Sequence, residues 1–127
     1  MHLIFLFADY TIFGLSSSNL ELLISNGKKE LDKASIWFKA NKLTLNVSKT
    51  KFMIFRNIKI KLDKNVSSLQ IGGRSLERIG NHQTIKEKIY FKFVGVKIDE
   101  YLDWTYHLDH VSSKLSSANL KTSYQYP

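Results

Sequence analysis

The chemistry-bearing residue near the start of the chain is Asp9, in the segment Phe7-Ala8-Asp9-Tyr10. It stands between two apolar runs, Leu3-Ile4-Phe5-Leu6 and Thr11-Ile12-Phe13. That pattern reads as strand, tight turn, strand. A turn of this kind can hold a carboxylate at the lip of a sheet, where a hard cation such as Mg²⁺ takes oxygen ligands. The structural alternative is a turn aspartate that bonds its own backbone. The next residue, Tyr10, offers no second carboxylate.

The other groups suited to chemistry are cations. Lys49 and Lys51 flank Thr50 in a turn-like segment, and Lys39, Lys42, Arg56, Lys59, Lys61 and Lys64 extend the basic region. Across the chain, 19 Lys and Arg stand against 11 Asp and Glu, a formal net charge of +8. Such a surplus favours polyanionic partners by steering and counterion release. The structural reading of the same lysines is a solvated turn, or a strand edge blunted against aggregation. His107 and His110, with Asp103, could make a partial metal site. Zinc needs three or four convergent ligands, so a capping or solvated role is preferred. Cysteine is absent, which excludes disulfides and thiolate metal sites. No phosphate-binding glycine loop, Ser/His/Asp set or HExxH motif is present.

The elements that must position these groups fit one domain of 127 residues. Residues 2–13 predict a β-hairpin turning near Asp9 and Tyr10. Ser18 with Glu21 has capping-box spacing and predicts a helix start. The stripe Leu20, Ile24, Leu31, Ala34 and Phe38 continues that helix, with Gly27 inside it and Asn41 suited to a left-handed end. Phe52-Met53-Ile54-Phe55 reads as a buried strand, and Ile58, Ile60 and Leu62 as a one-sided strand. Gly72-Gly73 predicts a hairpin turn. Residues 81–89 read as a loop and Tyr90 to Ile98 as a strand. Asp103 can cap a last helix with the stripe Trp104, Leu108, Val111, Leu115 and Ala118, and residues 121–127 fray. Trp37 and Trp104 are assigned to the core. The order favours an α+β layer, one main helix packed on an antiparallel sheet. The apolar start lacks a basic leader and is broken by Asp9, so neither a signal segment nor a membrane span is expected. The chain begins inside a strand, which reads as a truncation point.

Several motifs then fall in one order: Phe7-Ala8-Asp9; Trp37 to Leu43; Leu45-Asn46-Val47-Ser48-Lys49-Thr50-Lys51-Phe52-Met53; Phe93 to Asp99; and Leu102-Asp103-Trp104 leading to His107. Over roughly residues 3–120, this order resembles the C-terminal half of the palm and the start of the thumb of a non-LTR (LINE-type) retrotransposon reverse transcriptase. The resemblance implies a partial palm over 1–100, and a thumb-start helix with a frayed tail over 101–127. It implies an RNA-directed DNA polymerase, a nucleotidyltransferase that extends a DNA primer on an RNA template. Mg²⁺ would be the cofactor and a dNTP the only small molecule, with an intracellular, nuclear or cytoplasmic setting.

In that family two adjacent aspartates and an earlier one hold two metal ions, which clamp the attacking and leaving oxygens. Asp9 matches the first of the pair and Tyr10 replaces the second. The strand with the earlier aspartate and the fingers are expected upstream of Met1. The resemblance makes Lys49 the lysine that contacts nucleotide phosphates or protonates pyrophosphate, with Lys51 the second match and Lys42 on the nucleic-acid path. It places Gly95, in Phe93-Val94-Gly95, in the hairpin that supports the primer end; a bulge or a close packing contact is the plain alternative. The expectation is a polymerase fragment inactive by itself. The alternatives are a non-catalytic basic nucleic-acid-binding module, or a transposon relic without function.

Overall fold

The hairpin expected at the start forms. Strand β1 (His2–Phe7) pairs antiparallel with β2 (Tyr10–Leu15), with His2 opposite Leu15 and Phe7 opposite Tyr10. Tyr10 is therefore the first residue of β2, not part of the turn. The structure is a computed structural model that describes residues 2–7, 10–62, 68–80 and 89–123, with side chains over 11–62, 68–80 and 89–121. Asp9 and Lys64 lie outside the described residues, as does 81–88 of the expected loop.

The chain packs as two compact units, Met1–Lys51 with Leu62–Arg78, and Phe52–Lys61 with Ile79–Pro127. In the first, helix α1 (Leu20–Ala40) packs on β2 and on β4 (Gln70–Ile71). Its apolar stripe faces inward as expected, with Ile24 and Gly27 buried. A Cβ on Gly27 would come to 3.5 Å from Leu69 Cδ2 and 3.8 Å from Leu15 Cδ1. The helix thus lies close on those leucines with room for no more than a methyl group.

Both ends of α1 differ from expectation by one residue. Asn19, not Ser18, is the N-cap: its side-chain oxygen accepts from the amides of Glu21 at 2.8 Å and Leu22 at 3.3 Å. An amide oxygen reaches these N–H groups one position closer than the serine would, which satisfies two of the helix's orphan donors. At the other end Asn41 keeps φ −90°, and Lys42 takes the left-handed conformation at φ 57°. The Leu43 amide donates to the Phe38 carbonyl at 2.8 Å and that of Lys42 to Lys39 at 3.0 Å. This paired pattern usually places glycine where Lys42 stands.

Beyond α1, a short 3₁₀ turn (Val47–Lys49) leads into β3 (Lys51–Phe52). The expected strand 52–55 stops there: Ile54 is buried, but Phe55 is 56% exposed. The strand expected at 58–62 is absent. Asn57 accepts from the Lys59 amide with its side chain and from the Ile60 amide with its carbonyl, closing a turn. This local side-chain bond wins over the apolar alternation and leaves Ile58 and Ile60 exposed. The Gly72-Gly73 hairpin forms as expected between β4 and β5 (Arg74–Ser75), both glycines at positive φ. Strand β6 (Glu77–Arg78) follows.

In the second unit the single strand expected over 90–98 is a hairpin. Strands β7 (Tyr90–Phe93) and β8 (Val96–Asp99) pair with Phe93 opposite Val96. Val94 at φ 48° and Gly95 at φ 82° form the tip. Positive φ at both central residues is the turn whose twist matches the flanking strands. Helix α2 (Thr105–Ser123) then packs on β8. Trp37 and Trp104 are not core residues: they are 58% and 50% exposed. Among the described residues no sheet exceeds two strands, so the antiparallel sheet expected under the main helix is divided there into separate two-stranded pairs. The described residues form a small α+β architecture, with two α-helices and short paired strands. No described helix is long and apolar enough to cross a membrane.

Candidate nucleic-acid interface

In the first unit, the basic residues singled out by sequence run from the last turn of α1, which carries Lys39, through the turns that follow it to Lys51 at the start of β3. Lys42 is exposed at the helix end, fixed by the left-handed backbone described above. Lys49 closes the 3₁₀ turn; its amide donates to Asn46, whose side chain also accepts from the Ser48 hydroxyl at 2.6 Å. Asn46 thus presents Lys49 outward from a rigid turn. Lys51 is differently placed, because its Nζ lies 3.2 Å from Glu77 Oε2. An ion-paired lysine has less charge to offer an anion, so Lys51 presents less free charge than Lys49.

Arg56, in the second unit, is not a surface contact at all. Its amide donates to the Glu100 carbonyl, and its guanidinium reaches Glu100 Oε1 at 3.3 Å and the Tyr101 hydroxyl at 3.0 Å. It also donates to the Ile60 carbonyl and lies 4.8 Å from the centre of the Tyr101 ring. The Glu100 side chain is 0% exposed. Burying that carboxylate requires a cation beside it. Gly80 is part of the same packing, since a Cβ there would fall 2.8 Å from Glu100 Oε2. Arg56 is therefore a structural residue; Lys59 and Lys61 remain exposed.

Gly95 serves a turn and not a packing contact, because nothing lies within 4 Å of a Cβ built on it. Its hairpin brings together cations that sequence reading passed over. Lys92 and Lys97 are directly opposed across β7 and β8. Like charges so placed repel, and an anion between them relieves the repulsion. The Lys97 Nζ lies 4.5 Å above the Tyr90 ring, and the Tyr106 ring is 5.7 Å from Tyr90. On α2, His107 Nδ1 accepts weakly from the Lys97 amide at 3.4 Å. His110 Nε2 is buried without a hydrogen-bond partner. Desolvation first, then the charges of Lys97, Lys114, Lys92 and His107, pushes His110 below the ordinary imidazole range. The sequence signal for this cluster was the Val94-Gly95 dipeptide, which as a turn sets the Lys92–Lys97 register.

Asp103 is engaged elsewhere. Its Oδ1 accepts from the Thr105 hydroxyl at 2.6 Å and the Thr105 amide at 3.1 Å. It caps α2, and these bonds hold its carboxyl below the usual range. Asp99 is buried and accepts from the Asp103 amide at 2.7 Å. Among the described residues, no three His, Asp or Glu side chains converge as metal ligands. Asp9, the carboxylate expected to hold Mg²⁺, lies outside the described residues; Glu100 and Asp103 are held by Arg56 and Thr105.

No protein-family model, curated protein or solved structure matches the chain. The resemblance rests on the order of its motifs.

Proposed function

We propose that the chain corresponds to the palm and thumb-start region of a non-LTR retrotransposon reverse transcriptase, and that it binds template–primer duplex through the phosphate backbone. The observation that carries this reading is the β7–β8 hairpin. The segment assigned by motif order to primer support folds as a tight hairpin, and Lys92 faces Lys97 across it. Lys42 and Lys49 add exposed charge in the first unit. Contacts of this type position a duplex without reading its sequence.

Nucleotide addition is not expected of this chain by itself. Tyr10 stands where the family has its second metal-binding carboxylate, and no other side chain at that position supplies the charge.

Two measurements test the proposal. Fluorescence anisotropy with an RNA–DNA hybrid should show affinity that falls steeply with salt. Lys92→Ala and Lys97→Ala should each lower the salt slope by about 1, and Lys51→Ala by less. Absence of binding at low salt would sink the proposal, as would an unchanged slope. Primer extension with Mg²⁺ and dNTPs should yield no product; measurable incorporation would overturn the inactivity claim.

A further inference from the structure

Within the second unit, and among the described residues, the second helix carries an exposed apolar seam. Trp104, Leu108, Val111 and Leu115 are 50%, 63%, 37% and 59% exposed, and the spacing places Ala118 next in register. The side that α2 turns to its hairpin is a different one, made of Tyr106, His107 and His110. The seam advances by four, three, four and three residues. That alternation is a repeat of about 3.5, the period of a helix that pairs with another helix along its length. A 19-residue helix with its apolar line bare gains little stability from its own backbone.

The borders of the seam define the partner. One border is Lys114 and Lys121, seven residues apart, the position one heptad earlier being His107, whose ring is turned to the hairpin; the other is Thr105, Ser112 and Asn119. Asp109 is the one acidic residue in Thr105–Ser123, and it belongs to neither border. We propose that this seam docks one amphipathic helix whose own apolar line is bordered by Asp or Glu. A second copy of the chain fits worse. Antiparallel pairing would set the lysine border against itself, and parallel pairing would set it against Thr, Ser and Asn. A bilayer fits worse too, because a membrane-surface helix needs a broad apolar face. Here Ser112, Ser116 and Asn119 close in beside a line one side chain wide. This inference does not depend on the reverse-transcriptase reading.

The test uses the full chain carrying Trp37→Phe, so that Trp104 alone reports. Two synthetic three-heptad peptides have leucine seams, one bordered throughout by Glu and one by Lys. The Glu-bordered peptide should shift Trp104 emission to the blue and saturate, binding about tenfold or more tighter than the Lys-bordered one. Leu108→Glu with Leu115→Glu should abolish the shift while leaving the far-UV circular dichroism of the free chain unchanged. Lys114→Glu with Lys121→Glu should reverse the preference, a result that general unfolding cannot produce. Equal binding of both peptides, or no binding of either, overturns the proposal. So does a dimer in sedimentation that Leu108→Glu dissolves, or a blue shift given by phosphatidylserine vesicles and by neither peptide.

Discussion

Replacing Arg56 by alanine removes the cation from beside a carboxylate that the fold hides completely. Glu100 is 0% exposed, and the Gly80 backbone lies against its head. The Arg56 side chain is itself only 12% exposed, so water cannot take its place without the packing opening. Breaking a buried pair by removing one partner costs about 3–5 kcal/mol. Losing the bonds to Tyr101 and the Ile60 carbonyl acts in the same direction. Against a total stability of about 5–15 kcal/mol for a domain, that is a large fraction. Urea unfolding followed by circular dichroism should show the midpoint fall sharply for Arg56→Ala. The pair Arg56→Met with Glu100→Leu should lose less than the sum of the single variants, since no charge is then buried. Folded Arg56→Ala should keep the salt slope of hybrid binding, because the side chain faces inward. A loss under about 0.5 kcal/mol would refute the account of Glu100 burial; a lowered slope would show that Arg56 touches phosphate.

Further outcomes follow from the backbone and the caps. Lys42→Gly should stabilise by about 0.5–1 kcal/mol in urea unfolding, since φ 57° strains any side chain. The same variant should weaken hybrid binding by the loss of one charge. Val94→Asn should likewise stabilise by about 1 kcal/mol, because a β-branched residue at φ 48° is strained and asparagine tolerates that region. Gly80→Ala should destabilise by about 1–3 kcal/mol through overpacking against Glu100. Asp103 and His110 both have lowered pKa values. Each lowered group contributes stability above its unfolded value, lost as pH falls. Thermal melts should therefore weaken first below about pH 6.5 from His110 and again below about pH 3.8 from Asp103. The first step should vanish in His110→Asn and the second in Asp103→Asn.

Local signals in the sequence were strong where one residue type answers one backbone need. The α1 stripe, the Gly72-Gly73 turn and the Asp103 cap were legible because apolar spacing, positive φ and a capping oxygen are properties of a few adjacent residues. Where two local signals competed, the pattern misled. Alternation at Ile58 and Ile60 suggested a strand, and the Asn57 side chain made a turn. A run from Tyr90 to Ile98 suggested one strand, and Val94-Gly95 folded it in two.

By itself the sequence determined the α+β class, the strongly basic character, the bounds of α1 to within one residue, the start of the last helix near Asp103 and the position of the cationic turn at Lys49; α2 runs on to Ser123, into the stretch expected to fray. It also places Tyr10 after Asp9, the pair of residues on which the proposal of inactivity rests. Tertiary structure alone decided which charges are spent on the fold. Arg56 and Lys51 looked like any other basic residue until packing set them beside Glu100 and Glu77. Lys92 and Lys97 looked unrelated until strand register opposed them. Distance between charges depends on how distant segments meet, and spacing along the chain does not carry that information.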